Sequence, residues 1–150
     1  MSLPDLASDM LIVPDWPAPP LVRSLITTRR GGVSRGVYAS LNLGSHVGDD
    51  PLHVAENRRR VAVLVGDEPV WLDQVHGTRV IDAADRMAAD GPPEADGAFA
   101  CRPGVVCSVM TADCLPVLLC DEAGTVVAAA HPGWRRLLAG GLETPVAAQP

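Results

Sequence analysis

Two apolar runs, Leu115–Cys120 (LPVLLC) and Thr125–Ala130 (TVVAAA), flank the turn residues Asp121–Gly124 (DEAG). The pattern dictates a strand–turn–strand unit. With DEAG as the loop, Cys120 pairs with Thr125, and a shorter loop on Glu122–Ala123 gives the same register. Carried outward, that register sets Cys114 directly opposite His131 at the open end of the hairpin. Their Cβ atoms would then lie roughly 4.5–5.5 Å apart. At that separation one thiolate and one imidazole nitrogen can hold the same metal ion, or act as a nucleophile–base pair.

The chain of 150 residues is long enough for one domain with a proper core. Its 47% of hydrophobic residues marks it as globular, and no apolar run approaches the roughly 20 residues of a membrane span. The formal net charge of −6 argues against nucleic acid or anionic lipid as the main partner. All 12 basic residues are arginine, so no Schiff-base lysine is available. The four cysteines, 101, 107, 114 and 120, would suit two disulfides in a secreted chain. The N-terminus MSLPDLASDM, however, has neither the basic nor the apolar region of a signal peptide. Cys107 and Cys120 also sit inside apolar runs, so a reducing cytoplasm is the expected location.

Residues 1–20 form a Pro-rich lead-in with a short strand at Leu11–Val13. Leu21–Thr28 reads as a strand and Val33–Gly44 as a structured loop. Asp50 as N-cap and Pro51 at the first helical position start a helix that runs to Val65 and stops at Gly66. Glu56 and Arg60 form an i,i+4 pair on it. Val70–Val75 (VWLDQV) reads as a strand that Arg79–Ile81 continues after a bend. Asp82–Gly97 reads as a surface loop with one helical turn, and Gly104–Thr111 as a buried strand. A helix begins at Gly133.

Three of these strands end at or near a reactive side chain: VWLDQV at His76, GVVCSVMT just before Cys114, and TVVAAA at His131. Strand ends are where α/β enzymes place chemistry. His76 and Cys114 are 38 positions apart and match no local metal motif, so a shared metal site requires convergence in space. Each residue also has a plain structural role open to it: a hydrogen-bonded histidine at His76, a packed thiol at Cys114. Arg29, Arg30 and Arg35 surround a GGVS loop, which is either a solvated basic turn or an anion cradle.

At this point the residues resemble a family, the YfiH-type proteins long labelled multicopper polyphenol oxidases or laccase-domain proteins. The matching stretches are TTRRGGVSRGVYASLNLGSHVGDDP (27–51), ENRRR (56–60), WLDQVHGTRV (71–80), ADG (95–97), TADCLPVLLCD (111–121) and AAHPGWRRLLAGGLE (129–143). The resemblance covers about residues 21–145 and implies an α/β (α+β) fold, a layered α/β/β/α sandwich. It also implies that His76, Cys114 and His131 hold a metal, usually zinc. The implied activities are phosphorolysis of adenosine, inosine, guanosine and methylthioadenosine, and deamination of adenosine. One thiolate and two imidazoles leave a fourth zinc position open, the pattern of a catalytic site. Such a site would activate water for attack on C6 of adenine.

Asp113, beside the thiol, is then a candidate proton carrier or hydrogen-bond partner of the metal ligands. Arg29 and Arg35 are candidates for the phosphate, and Asn42 and Arg58 for the nucleoside. Copper suits the same three ligands, but four histidines are too few for a multicopper oxidase centre. The chain departs from the family at Pro132 and Arg136, where relatives read HAGWRG, and it ends where they continue. Residues 21–150 are thus expected to be the N-terminal portion of a single catalytic domain, its sandwich incomplete at the C-terminus. The alternatives are a metal-free Cys–His hydrolase or transferase, with Cys114 as nucleophile and His131 as base, and an inactive truncated scaffold. The oligomeric state is not legible.

Overall fold

The structure, a computed structural model, describes residues 10–85 and 91–132. The expected helix from Gly133, with Trp134 and Arg136, lies outside the described residues, as does part of the 82–97 loop. The fold is mixed α/β. The chain divides into two compact units, one formed by residues up to Pro17 and Arg23–Glu68, the other by Ala18–Val22 and residues from Pro69 onward.

In the first unit, β1 (Leu11–Ile12) pairs antiparallel with β2 (Ile26–Thr27), in the register Leu11↔Thr27. The expected strand Leu21–Thr28 is thus reduced to two residues, because the ladder extends only as far as its short partner. The helix α1 spans Pro51–Val65 as its end signals dictate. The Asp50 side chain accepts the Leu52 amide, Pro51 occupies the first turn, and Gly66 closes the helix in the left-handed region at φ 88°. Glu56 pairs with Arg60 and also with Arg59, which together push its carboxyl down to about 2.

The buried face of α1 holds a polar residue that periodicity does not reveal. Asn57 is fully buried between Val54 and Val61. Its Oδ1 accepts the Val33 amide at 2.8 Å, and its Nδ2 faces Ser34 Oγ at 2.9 Å, Asn42 O at 2.8 Å and Ser40 O at 3.2 Å. One side chain therefore fastens both limbs of the 33–42 loop to the helix. Ser34 Oγ and Asn42 Nδ2 extend the network to Asp49, at 2.6 and 3.0 Å, and hold that carboxyl below its usual range. Gly32 is required where the limbs meet, since a Cβ there would lie 2.0 Å from Ser40 O.

The second unit is built on a four-stranded sheet in the order β3 (Val80–Asp82), β4 (Gly97–Ala100), β6 (Val127–Ala130), β5 (Val117–Cys120). β3 runs parallel to β4, and the other pairs are antiparallel. The central strand β4 (GAFA) starts at the last residue of the expected 82–97 loop and otherwise occupies positions that the sequence reading assigns to no element. Apart from Phe99 its residues are small and poor strand formers, and at Gly97 smallness is useful, since a Cβ there would lie 3.2 Å from Val80 Cγ2 and 3.3 Å from Ala129 O. Ala95, Ala98 and Ala100 join Val70, Leu72 and Ala83 in the core, with Val105, Cys107, Val109 and Val127 packed against them.

Neither Val70–Val75 nor Gly104–Thr111 is a strand. The two extended segments share a single parallel bridge, Val70↔Cys107. Elsewhere side chains replace the ladder: Gln74 donates to Met110 O at 2.8 Å and accepts the Met110 amide at 2.6 Å, and Ser108 Oγ donates to Val70 O. These bonds take up part of the backbone hydrogen-bonding capacity without regular pairing.

The hairpin forms where the sequence places it, in a register two residues from the expected one. Cys120 pairs with Val127 rather than Thr125, and Val117 with Ala130. The cause is Asp121. Its carboxylate accepts the Thr125 amide, the Thr125 hydroxyl and the Val126 amide, while its own amide donates to Val126 O. Glu122–Thr125 becomes the loop, and His131 falls opposite Pro116 rather than Cys114. A shift of two preserves which face each side chain takes.

The Thr125 hydroxyl, with the three loop amides of Val126, Thr125 and Gly124, lowers the Asp121 pKa. A depressed carboxyl stabilises the fold fully above its unfolded value of about 3.9 and ceases to do so as pH falls through the folded value. Asp121→Ala should therefore lower the thermal midpoint at neutral pH. The gap to the parent should begin to narrow in melts below about pH 4 and close only as pH falls through the lowered folded value, where the parent's carboxylate is also lost.

Candidate metal centre

The second unit brings His76, Cys114 and His131 together. One donor atom from each lies within 4.8 Å of the other two. Cys114 Sγ is 3.9 Å from His76 Nε2, and the two imidazole rings meet edge to face with centroids 4.9 Å apart. His131 is buried, Cys114 half-buried and His76 exposed, so the cluster has a closed side and an open one. His131 follows directly on β6, Cys114 precedes β5, and His76 lies in the turn after the 70–75 segment.

Asp96 holds this arrangement, and the sequence reading gave it no role. It is 5% exposed and sits immediately before β4. Its Oδ1 accepts the His76 amide at 2.8 Å and lies 3.3 Å from His131 Nδ1. Its Oδ2 accepts the amides of Gly77 at 2.6 Å and Val75 at 3.2 Å. Three consecutive amides converge on one carboxylate, an anion nest made by the protein for its own side chain. The nest explains the backbone of His76, which takes φ 58° although it is not glycine. That conformation costs about 1 kcal/mol for an L-residue, and the amide–carboxylate bonds offset it. The backbone amide of His131 donates to Asp96 O at 2.7 Å, so the same residue fixes main chain and ring. A small pocket lined by Gly77, Thr78, Arg79, Val80, Asp96, His131 and Pro132 opens against this pair. A signal for Asp96 was present: an acid within Ala95–Asp96–Gly97–Ala98 is a charge among small residues, which must find donors if buried.

Asp113 is exposed, with Oδ1 3.7 Å from Cys114 Sγ. Burial, followed by the charge of Asp113 and its hydrogen bond, pushes the Cys114 thiol up. Cys107 is pushed up to about 12, mainly by burial. All four cysteines are free.

The other candidates belong to the first unit. Arg29 Nε donates to Ala39 O at 2.8 Å and Arg58 Nε to Leu43 O at 2.9 Å. Asn42 bonds both to Gly44 and to Asp49. Arg35 is exposed and precedes the 3-10 turn Gly36–Tyr38. Among the described residues, no helix is long and apolar enough to cross a membrane.

These features define a mixed α/β protein with a compact His–Cys–His cluster. The chain belongs to the multi-copper polyphenol oxidoreductase laccase family, whose pattern matches residues 23–149. It is 54% identical over 135 residues to a purine nucleoside phosphorylase of Pseudomonas aeruginosa, covering 90% of this chain and 54% of that one. It is 54% identical over 138 residues to the purine nucleoside phosphorylase YfiH of Escherichia coli, covering 91% and 56%. Among solved structures it is similar to a Neisseria meningitidis protein, with a TM-score of 0.87 and 54% identity over 93% of this chain and 57% of that one. It is also similar to YlmD of Geobacillus stearothermophilus, with a TM-score of 0.70 and 35% identity over 82% and 50%. The chain spans about half the length of the curated relatives it matches.

Proposed function

We propose that this chain carries the metal centre of a purine nucleoside phosphorylase, with zinc held by His76, Cys114 and His131. The observation that carries the proposal is the donor set: one thiol and two imidazoles within 4.8 Å of one another, open on one side. Three such ligands with a vacant position suit a catalytic zinc, and the same set would accept copper. Relatives named purine nucleoside phosphorylase support the substrates, a purine nucleoside and phosphate.

In phosphorolysis a phosphate oxygen bonds to ribose C1′ as the C1′–N9 bond breaks, giving ribose 1-phosphate and a base that takes up a proton. Zinc, when bound, would supply Lewis-acid chemistry, which would also suit deamination of adenosine. His131 and His76 would each supply an imidazole nitrogen to the metal, and Cys114 its sulfur. Asp113, exposed beside Cys114, is the proposed proton carrier. Arg29 and Arg35 are proposed for the phosphate, Asn42 and Arg58 for the nucleoside. Adenosine, inosine, guanosine and methylthioadenosine are the proposed substrates. The free cysteines suit a reducing cytoplasm.

A metal-free cysteine nucleophile is less well supported, because such thiols have lowered pKa values and that of Cys114 is raised. The test is metal content by mass spectrometry, followed by chromatography of adenosine incubated with phosphate. Adenine and ribose 1-phosphate from the zinc-loaded chain are the expected products, with inosine marking deamination. Absence of all three from a folded, zinc-loaded sample refutes the proposed activity. Iodoacetamide labelling of Cys114 that zinc fails to block would favour the metal-free enzyme.

A further inference from the structure

Asp96 offers two oxygens with about four acceptor directions between them. The amides of Val75, His76 and Gly77 donate to them, and His131 Nδ1 lies 3.3 Å from Oδ1. With a proton on that nitrogen, no direction is left for a metal ion or a substrate proton. A carboxylate in this position can act only through the groups it holds.

We propose that Asp96 is the positioning residue of the centre, fixing His131 as the Nδ1–H tautomer and locking the Val75–Gly77 turn so that both imidazoles present Nε2 to the side where Cys114 Sγ lies. The proposal rests on the metal centre proposed above for its use, but not for its geometry. A neutral imidazole has one N–H and one lone pair, and the hydrogen bond made by one nitrogen determines what the other offers. With Nδ1–H donating to the buried Oδ1 of Asp96, the lone pair of His131 is on Nε2. The same oxygen holds the His76 amide, so one atom couples the two histidines although they are 55 positions apart in sequence. The left-handed backbone of His76 is the visible cost of the lock.

Asp96→Asn keeps the shape and spoils the pattern. If the amide nitrogen takes the Oδ2 position, it opposes the amides of Val75 and Gly77. If it takes the Oδ1 position, it opposes the His76 amide and turns His131 Nδ1 into an acceptor, which moves the proton to Nε2. Long-range proton–nitrogen correlation spectra of the metal-free protein, at mildly alkaline pH, read the tautomer directly. His131 should carry its proton on Nδ1 in the parent and on Nε2, wholly or in part, in Asp96→Asn. An Nε2–H parent overturns the proposal, as does a folded variant that keeps both the parent's tautomer and its metal affinity. Cobalt(II) titration followed by visible absorption is the second measurement, and Asp96→Asn should bind about 10–100-fold more weakly than the parent. Equal affinity with an identical spectrum also overturns it. If Asp96→Asn does not fold, the parent spectrum decides the tautomer and Asp96→Glu, which keeps the charge, takes its place in the titration. A parent that takes up neither cobalt nor zinc refutes the metal centre, and the parent tautomer then decides the role of Asp96 separately.

Discussion

Asn57→Leu is expected to destabilise the chain by about 3–4 kcal/mol, although it replaces a polar residue with an apolar one of similar size inside a helix. Each buried polar group left without a partner costs about 1–3 kcal/mol, and this change strands several at once. The Val33 amide loses its acceptor and the Asn42 carbonyl a donor, while the Ser40 carbonyl loses one donor and keeps the Ser34 amide. Ser34 Oγ keeps its bond to Asp49, so the loss is graded rather than total. A domain with 5–15 kcal/mol of stability in all would be brought near its threshold. Asn57→Asp separates shape from donor chemistry: it retains an acceptor for Val33 but points a second oxygen at two carbonyls, and should be no better than leucine. Urea unfolding followed by circular dichroism measures both. A leucine variant within about 1 kcal/mol of the parent would mean that contacts other than Asn57 hold the 33–42 loop. Arg35 and Asn42 lie on that loop, so its looseness should also weaken the phosphate and nucleoside contacts proposed for it.

The helix that carries Asn57 was legible because its signals are local. An aspartate, a proline and a terminal glycine each act within one turn, and no distant residue alters what they do. Asn57 itself was not, since its partners lie 15 to 24 positions away. The same division runs through the second unit. The hairpin's location follows from composition, whereas its register follows from one side chain, Asp121, wrapping amides of its own loop. The strand β4 escaped because three of its four residues are alanine or glycine, which announce no strand, and it is defined by its pairing with β3 and β6. The 70–75 and 104–111 segments misled for the opposite reason. Their residues suit strands, but the Gln74 amide does the pairing that a ladder would do. At the candidate site, His76, Cys114 and His131 were visible because each stands near the end of an apolar run. Asp96 was hidden because its importance lies in four donors from two distant parts of the chain.

The three metal-binding candidates should respond alike to metal and differently in stability, and that difference is the strongest test of the site. Structural zinc sites bind with about 10–16 kcal/mol, so each of four ligands contributes on the order of 3 kcal/mol. Loss of any one of His76, Cys114 and His131 should then weaken zinc roughly 100- to 1000-fold, and the proposed nucleoside phosphorolysis should fall to background in each case. Folding should not follow the same pattern. His131→Ala empties a buried position and takes a donor from Asp96, so the metal-free variant should lose about 2–4 kcal/mol. Cys114→Ala removes a half-buried thiol from an irregular segment and should cost about 1 kcal/mol or less. His76→Gly is the informative variant. The residue is exposed and left-handed, and glycine adopts φ 58° without the steric cost of a side chain. Its metal-free stability should stay within about 1 kcal/mol of the parent while its metal affinity collapses. Zinc competition titrations and thermal melts, run on the same samples, separate the two effects. If His76→Gly binds zinc as the parent does, His76 is not a ligand, and its strained backbone requires another explanation. If all three variants lose stability in proportion to affinity, the cluster is a structural knot rather than a centre kept open for chemistry.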